Sequence, residues 1–364
     1  MGAYINAIGT ANPANKYSQE TIAQFMCDHL PLSEDEQHKL RVLYRATGVQ
    51  YRHSVLDDYK RQKGTFTFYP NSEDLEPFPG TQKRMSIYQE KALPLAISAV
   101  TDCMKGIQGY EEFTHLITVS CTGMYAPGLD VDLIKALNLS NAIVRNSLNF
   151  MGCYAAMNAM NLAKQYCEND ATARVLIVSV ELCTLHLQKS PTEDNLLAQA
   201  LFSDGAAAVV VSGKQISDTD LRIVSSSSYL SMDGKNDMAW QIGDYGFQMG
   251  LTTYVPKIIE GGILNLTERL LAEANYSIAD IDHFAIHPGG KKILEAVEKQ
   301  LGLEKSQNQI AYEVLKNYGN MSSPTILFVL KETMEKIEKG KQQSVLSFAF
   351  GPGLTMESIL FQGA

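Results

Sequence analysis

The stretch Phe150-Met-Gly-Cys153-Tyr-Ala-Ala-Met-Asn-Ala-Met-Asn161 decides how the chain is read. A lone cysteine follows a glycine and opens an alanine- and methionine-rich run. Met157, Met160, Leu162 and Ala163 recur at helical spacing, which predicts a buried helix whose first turn carries Cys153. Unpaired N–H groups and the positive end of a helix dipole favour an anion, so a thiol there is expected to ionise more readily than a free one. The competing reading is a small buried apolar cysteine, and only partners elsewhere in the chain choose between the two.

Around that stretch lie 364 residues, a length that suits two domains or one large duplicated fold. Hydrophobic residues make up 45% and charged residues 20%, enough apolar material for a sizeable core. Lys and Arg number 31 against 40 acidic residues, a formal charge of −9 that argues against a general nucleic-acid or anionic-membrane binder. No apolar run reaches membrane-spanning length and the N-terminus lacks a signal-peptide pattern, so a soluble, cytoplasmic protein without membrane insertion is expected. Asn6 sits where a myristoylation signal after Met1-Gly2 wants Ser or Thr. The six cysteines form no Cys-x-x-Cys pair, which disfavours a zinc site or a disulfide framework.

Taken in order, Tyr4–Thr10 reads as a strand and Ser18–Leu30 as a helix with Ser18 as N-cap. Lys39, Arg41, Arg45 and Arg52 make a local basic cluster, read first as a solvated face. The aromatic- and proline-rich segment Thr65–Thr81 is expected to loop over the surface, and Arg84–Cys103 to form a helix kinked at Pro94. His115–Cys121 is a strand leading to a glycine turn and a helix over Leu129–Leu137. Arg174–Val180 is a β-branched run of the kind buried on both faces of a sheet, and Phe202–Val211 supplies another strand.

The second half repeats this order. His283–His287, then Pro-Gly-Gly and a helix to Leu301, echoes His115–Leu137. Tyr318-Gly-Asn320 and the helix over Ile326–Ile337 echo Gly152-Cys153 and its helix, and Ser344–Phe350 echoes Arg174–Val180. Such repetition implies a pseudo-two-fold α/β fold with two related sheets, divided near Ser212–Asp220 into halves 1–213 and 214–364. His287 ends a strand, the edge where α/β sheets place their ligands. If the halves pack about a pseudo-two-fold, Cys153, His287 and Asn320 meet in one cavity.

That set suits thioester chemistry: a Cys153 thiolate held as an ion pair by a His287 imidazolium, with Asn320 and His287 donating to an oxyanion. A papain-like protease also uses Cys, His and Asn, but its chain order and the surroundings of its nucleophile differ.

With these residues in place, the chain resembles the type III polyketide synthases, the chalcone synthase superfamily of thiolase fold. The match runs nearly end to end, through Ala7-Ile-Gly-Thr-Ala-Asn-Pro13, Gly152-Cys153, Ala200–Ala208, His287-Pro-Gly-Gly290, Tyr318–Pro324 and Phe350-Gly-Pro-Gly-Leu-Thr-Met-Glu357. The resemblance implies a layered αβαβα architecture and a homodimer without cofactor or metal. It further implies that an acyl-CoA starter is loaded on Cys153 and extended with malonyl-CoA, decarboxylated beside His287 and Asn320. It gives Lys39, and after it Arg41 and Arg45, a role at the CoA phosphates, and puts Thr122, Leu187, Met249, Gly289, Gly290 and Gly353 along the substrate path.

Plant members carry a gatekeeper phenylalanine in the segment matching Thr184–Gln188, where Leu187 stands here, and a second matched near Met249, with Phe247 close by. Cys121-Thr-Gly-Met-Tyr-Ala-Pro127 is closer to bacterial members that make alkylresorcinols or alkylpyrones. Leu and Met walls favour a deformable aliphatic cavity and hence a fatty acyl starter. Cys121 reads as a packed strand cysteine, Ser203-Asp204 as structural residues tied to a turn, and His186 as a satisfied wall histidine. The alternatives are a ketoacyl-ACP synthase III-like single condensation, an aromatic starter as in chalcone synthases, a hydroxymethylglutaryl-CoA synthase, whose chemistry wants a glutamate base whereas Tyr318-Gly-Asn320 fits the decarboxylative type, and a non-catalytic acyl-CoA-binding protein of the same fold.

Overall fold

The computed structural model describes residues 2–107, 112–234 and 237–363. The first half runs β1 (Tyr4–Ala11), β2 (Asn15–Ser18), α1 (Gln19–His29), α2 (Glu34–Ala46), β3 (Tyr51–Ser54), α3 (Thr81–Met104), β4 (His115–Ser120) and α4 (Leu129–Ala136). It continues with β5 (Val144–Asn149), α5 (Ala155–Asn169), β6 (Arg174–Leu182), α6 (Glu193–Leu201) and β7 (Asp204–Ser212). The second half holds β8 (Leu221–Leu230), the hairpin β9 (Met238–Gly243) and β10 (Gly246–Leu251), α7 (Val255–Glu273), β11 (His283–Ile286) and α8 (Lys291–Leu301). It closes with α9 (Gln309–Tyr318), α10 (Pro324–Met334), β12 (Ser344–Gly351) and β13 (Thr355–Gly363).

Strand pairing carries the repeat. In the order β1-β7-β6-β4 the neighbours are antiparallel, antiparallel and parallel, and β8-β13-β12-β11 shows the same sequence of directions. The strands read as repeats, β4 with β11 and β6 with β12, hold equivalent places. Instead of two separate sheets there is one of nine strands, because β1 and β8 pair antiparallel through Tyr4↔Arg222 and Ile5↔Leu221. Ile5 and Leu221 are fully buried at this seam.

Five layers result. α3 covers one side of β1, β6 and β7, and α7 covers β8 and β13. Between them lie α5, which touches β4, β6, β7 and β13, and α10, which touches β1, β6, β7, β11 and β12. Both central helices therefore contact strands of both halves, and their side chains, Met157, Met160, Ile326 and Leu330 among them, are buried to 1% exposure or less. Apolar residues on every face of α10 suit a helix with sheet on both sides. β6 is buried from Val175 to Leu182 for the same reason.

Local chemistry sets several boundaries. Ser18 caps α1 by accepting from the Thr21 N–H at 3.1 Å, and α2 opens on a capping box between Ser33 and Glu36. α3 starts at Thr81 and continues through Pro94, so the proline does not end it. The Thr65–Thr81 segment departs from the expected surface loop. It has no helix or strand before Thr81, yet Phe68, Tyr69 and Leu75 are buried, because the buried Asp58 carboxylate accepts from the Thr67, Phe68 and Tyr69 N–H groups at 2.7–2.9 Å.

Candidate active site

The turn before α5 is tightly specified. Phe150 has φ +60° and Gly152 φ +82°, and a Cβ on Gly152 would lie 2.0 Å from Pro352 Cδ, so only glycine fits. α5 begins at Ala155, whose N–H donates to the Gly152 carbonyl at 3.1 Å. Cys153 thus stands in the turn two residues before the helix rather than in its first turn.

Cys153, His287 and Asn320 line a single cavity, together with Cys121, Thr122 and Ser322. His287 directly follows β11 and its N–H donates to the Phe348 carbonyl at 2.8 Å. It is 1% exposed, and neither ring nitrogen has a hydrogen-bond partner. Asn320 follows Gly319 and is clamped on both sides: its N–H donates to the Leu201 carbonyl and its carbonyl accepts from the Ser203 N–H, each at 2.9 Å. Its side-chain oxygen accepts from the Ser322 N–H at 2.8 Å, which leaves the amide NH2 to face the Gly289 carbonyl at 3.3 Å and the Cys153 sulfur.

Burial pushes the Cys153 thiol up to about 12 and His287 down to about 3. Hydrogen bonds from Ser322, Asn320 and the Cys153 N–H pull the thiol the other way, while nearby Glu181 adds to the rise. Burial thus favours the neutral thiol and the neutral imidazole, against the ready ionisation expected from a helix start. Desolvation outweighs what the start of one helix returns.

Glu181 went unread in the sequence although it breaks an apolar strand near its end. It is fully buried in β6, and its carboxyl accepts from the Cys121 N–H at 2.9 Å, the Thr122 hydroxyl at 2.7 Å and the Ser323 hydroxyl at 2.6 Å. Burial raises it to about 7 against those hydrogen bonds. Cys121 lies just past β4 in the cavity wall, and its sulfur accepts from the Gly152 N–H at 2.9 Å, so it braces the turn that carries Cys153. His186 is satisfied on both ring nitrogens, Nε2 donating to the Thr122 carbonyl and Nδ1 accepting from the Phe247 N–H. Ser203 and Asp204 hold backbone: Ser203 binds the His53 backbone, and Asp204 accepts from Val55 and Thr184.

Thr122, Leu187, Met249 and Gly289 line the cavity, whereas Gly290 and Gly353 do not. Gly353 instead takes φ +72° beside Pro352, which does line it. The walls are less aliphatic than expected, because Phe202, Phe247, Trp240, Tyr44 and Tyr59 also reach the cavity. The basic cluster divides. Lys39 is exposed and pairs with Asp35 at 2.6 Å, and Arg41 and Arg45 line a separate groove between α1 and α2. Arg52 leaves the surface altogether, 3% exposed and in the cavity wall. Among the described residues, no three His, Cys, Asp or Glu side chains are grouped to hold a metal, and no helix is long and apolar enough to cross a membrane.

This geometry agrees with known proteins along the whole chain. The family model of chalcone and stilbene synthases matches as an N-terminal domain over residues 2–215 and a C-terminal domain over 222–364. The chain is 30% identical to the alpha-pyrone synthesis polyketide synthase-like Pks18 of Mycobacterium tuberculosis, over 99% of this chain and 91% of that protein. The crystal structure of PKS-I from the brown alga Ectocarpus siliculosus superposes with a TM-score of 0.93 at 28% identity, covering 100% of this chain and 98% of that one. The C-terminal type III polyketide synthase domain of Steely1 from Dictyostelium superposes at 0.91 with 26% identity, covering 100% and 99%. The chain belongs to the chalcone and stilbene synthase family and is a type III polyketide synthase of thiolase-like fold, an acyltransferase of polyketide biosynthesis.

Proposed function

We propose that this synthase takes an acyl group from a CoA thioester onto Cys153 and extends it with malonyl-CoA held beside His287 and Asn320. The observation that carries the reading is the single cavity that Cys153 of the first half, 1–213, lines together with His287 and Asn320 of the second, 214–364. The two His287 ring nitrogens have no hydrogen-bond partner, and the Asn320 NH2, held against the Gly289 carbonyl, has a second N–H to give. In the loading step Cys153 gives its proton to His287 as its sulfur attacks the acyl carbonyl, and CoA leaves as the thiol when that proton is returned. In the extension step malonyl-CoA loses CO2, and its electron pair passes into a thioester enolate whose oxygen accepts from Asn320 and His287. The enolate carbon attacks the acyl carbonyl on Cys153, and the chain leaves on CoA two carbons longer. Malonyl-CoA and acyl-CoA suffice as substrates, and the chemistry calls on no metal or cofactor.

Repeated extension and ring closure of an aliphatic chain give an alkylpyrone or alkylresorcinol. Leu187 and Met249 in the wall support a fatty acyl starter, and the name of the Mycobacterium relative refers to alpha-pyrone synthesis by that protein. Phe202 and Phe247 favour a second reading, an aromatic starter stacked between rings. In this proposal Lys39, Arg41 and Arg45 on α2 bind CoA phosphates, and the protein works as a cytoplasmic homodimer. A panel of acyl-CoA starters with malonyl-CoA, analysed by mass spectrometry, tests it. Medium- and long-chain starters are expected to give triketide and tetraketide products, and Cys153→Ala is expected to show neither product nor an acyl mass shift. Faster turnover of p-coumaroyl-CoA would favour the aromatic reading, and products from Cys153→Ala would remove the covalent step.

A further inference from the structure

Arg52 is a buried cation whose charge is felt by the Asp204 carboxyl but which forms no ion pair with it within 4 Å. It projects from β3, and its Nη1 donates to the carbonyls of Phe202, at 3.0 Å, and Gln199. Nε and Nη2 have no hydrogen-bond partner, and no described carboxylate pairs with the guanidinium within 4 Å. The Tyr44 hydroxyl donates to the Gln199 carbonyl at 3.3 Å, and the nearby guanidinium also acts on its oxygen. Such a group is costly to bury, because a guanidinium gives up its hydration and regains only part of it from two carbonyls. Its place is closely built. A Cβ on Gly319, φ +69°, would lie 3.0 Å from Arg52 Cγ, so the stem packs directly behind Asn320. The aromatic face of Tyr44 covers the guanidinium at 5.5 Å.

Nε and Nη2 form the edge of arginine that grips two syn oxygens at once, as in carboxylates. Under the condensing reaction proposed above, on which this step rests, the chain in the cavity carries such a pair. A 1,3-dicarbonyl in its enolate form spreads one negative charge over two oxygens. The malonyl carboxylate is a poor candidate, since a guanidinium that holds it would oppose its loss as neutral CO2. We propose that Arg52 is a positioning residue for the growing chain, its Nε/Nη2 edge taking the two oxygens of a 1,3-dicarbonyl segment and thereby governing how far the chain extends before release.

Trp240, the only tryptophan, lines the same cavity, so its fluorescence reads binding without turnover. Decanoylacetone, methyl undecyl ketone and tridecanoate are titrated in parallel against the full chain. The diketone is expected to bind roughly tenfold tighter than the ketone, the scale of a hydrogen bond to a charged group. Its enolate absorption is expected at a lower pH on the protein than in water. In Arg52→Met the diketone-to-ketone ratio falls to near one and products shorten, and Arg52→Lys restores part of both. General damage to the cavity would weaken both ligands together and leave the ratio. A wild-type ratio near one, a ratio that survives in Arg52→Met, or preference for tridecanoate alone overturns the proposal. If Arg52→Met does not fold, the wild-type ratio and the enolate band decide. Absence of an acyl adduct on Cys153 by intact mass sinks the loading reaction instead, and leaves the diketone measurement to stand separately.

Discussion

The Cys153 thiol and the His287 imidazole share a cavity and are driven toward their neutral forms by the same cause, loss of water. Turn residues and a helix start are visible in sequence, and they suggest an easily ionised sulfur. The amount of protein packed over that sulfur is not visible, and it dominates. A resting thiol predicts that iodoacetamide alkylation of Cys153, followed by peptide mass, keeps rising with pH beyond pH 9. A plateau already at neutral pH would reveal a thiolate paired with imidazolium. His186 was legible as a wall residue, and the two hydrogen bonds that fix its Nε2–H tautomer account for its inertness. Arg52 was misread as part of a surface cluster, because spacing along the chain places it with Arg41 and Arg45 while β3 turns it inward.

Among the elements, the turn from Phe150 to Cys153 is the one that the rest of the site is built against. Gly152→Ala puts a methyl group into the Pro352 ring at a backbone conformation that L-residues avoid. The expected outcome is a loss of about 1–3 kcal/mol in thermal or chemical unfolding, with a larger fall in Cys153 acylation as the turn shifts. A variant that melts like wild type and is acylated at the same rate would show that the turn tolerates the change. The strands and helices of the repeat were legible because they are apolar or periodic runs set beside glycine or proline turns, even where, as in β11, the strand spans only four residues. The β9–β10 hairpin was not read, nor was β8. Ile242 is 60% exposed and β8 is mostly serine over Ser225–Ser228, so neither shows the alternation that marks a half-buried strand. Yet β9 and β10 bring Trp240, Phe247 and Met249 to the cavity, which is why its aromatic character was underestimated.

For the molecule as a whole, buried titratable groups make stability depend on pH in two opposed directions. His287 falls from 6.5 to about 3 on folding, so between those values the unfolded chain binds more protons and stability rises with pH. Glu181 rises from 4.5 to about 7, so across that window the folded chain binds more protons and stability falls with pH. His287→Gln is therefore expected to lose less stability than wild type between pH 6 and pH 4, by up to ~1.4 kcal/mol per pH unit. Glu181→Gln is expected to gain on wild type from pH 5 to pH 8. Melting curves of the three proteins across pH 4–8 check both signs, and parallel curves would show that neither group is desolvated as described. The sequence by itself determined the order of the duplicated elements and the three residue types that suit thioester chemistry, because periodicity, caps and glycine turns are properties of neighbours along the chain. The joining of the halves into one sheet, the convergence of Cys153 with His287 and Asn320, the burial that disfavours charge on the first two and the unpartnered edge of Arg52 were decided by tertiary structure alone. Burial and facing depend on residues more than a hundred positions away, and no local pattern encodes how much water they remove.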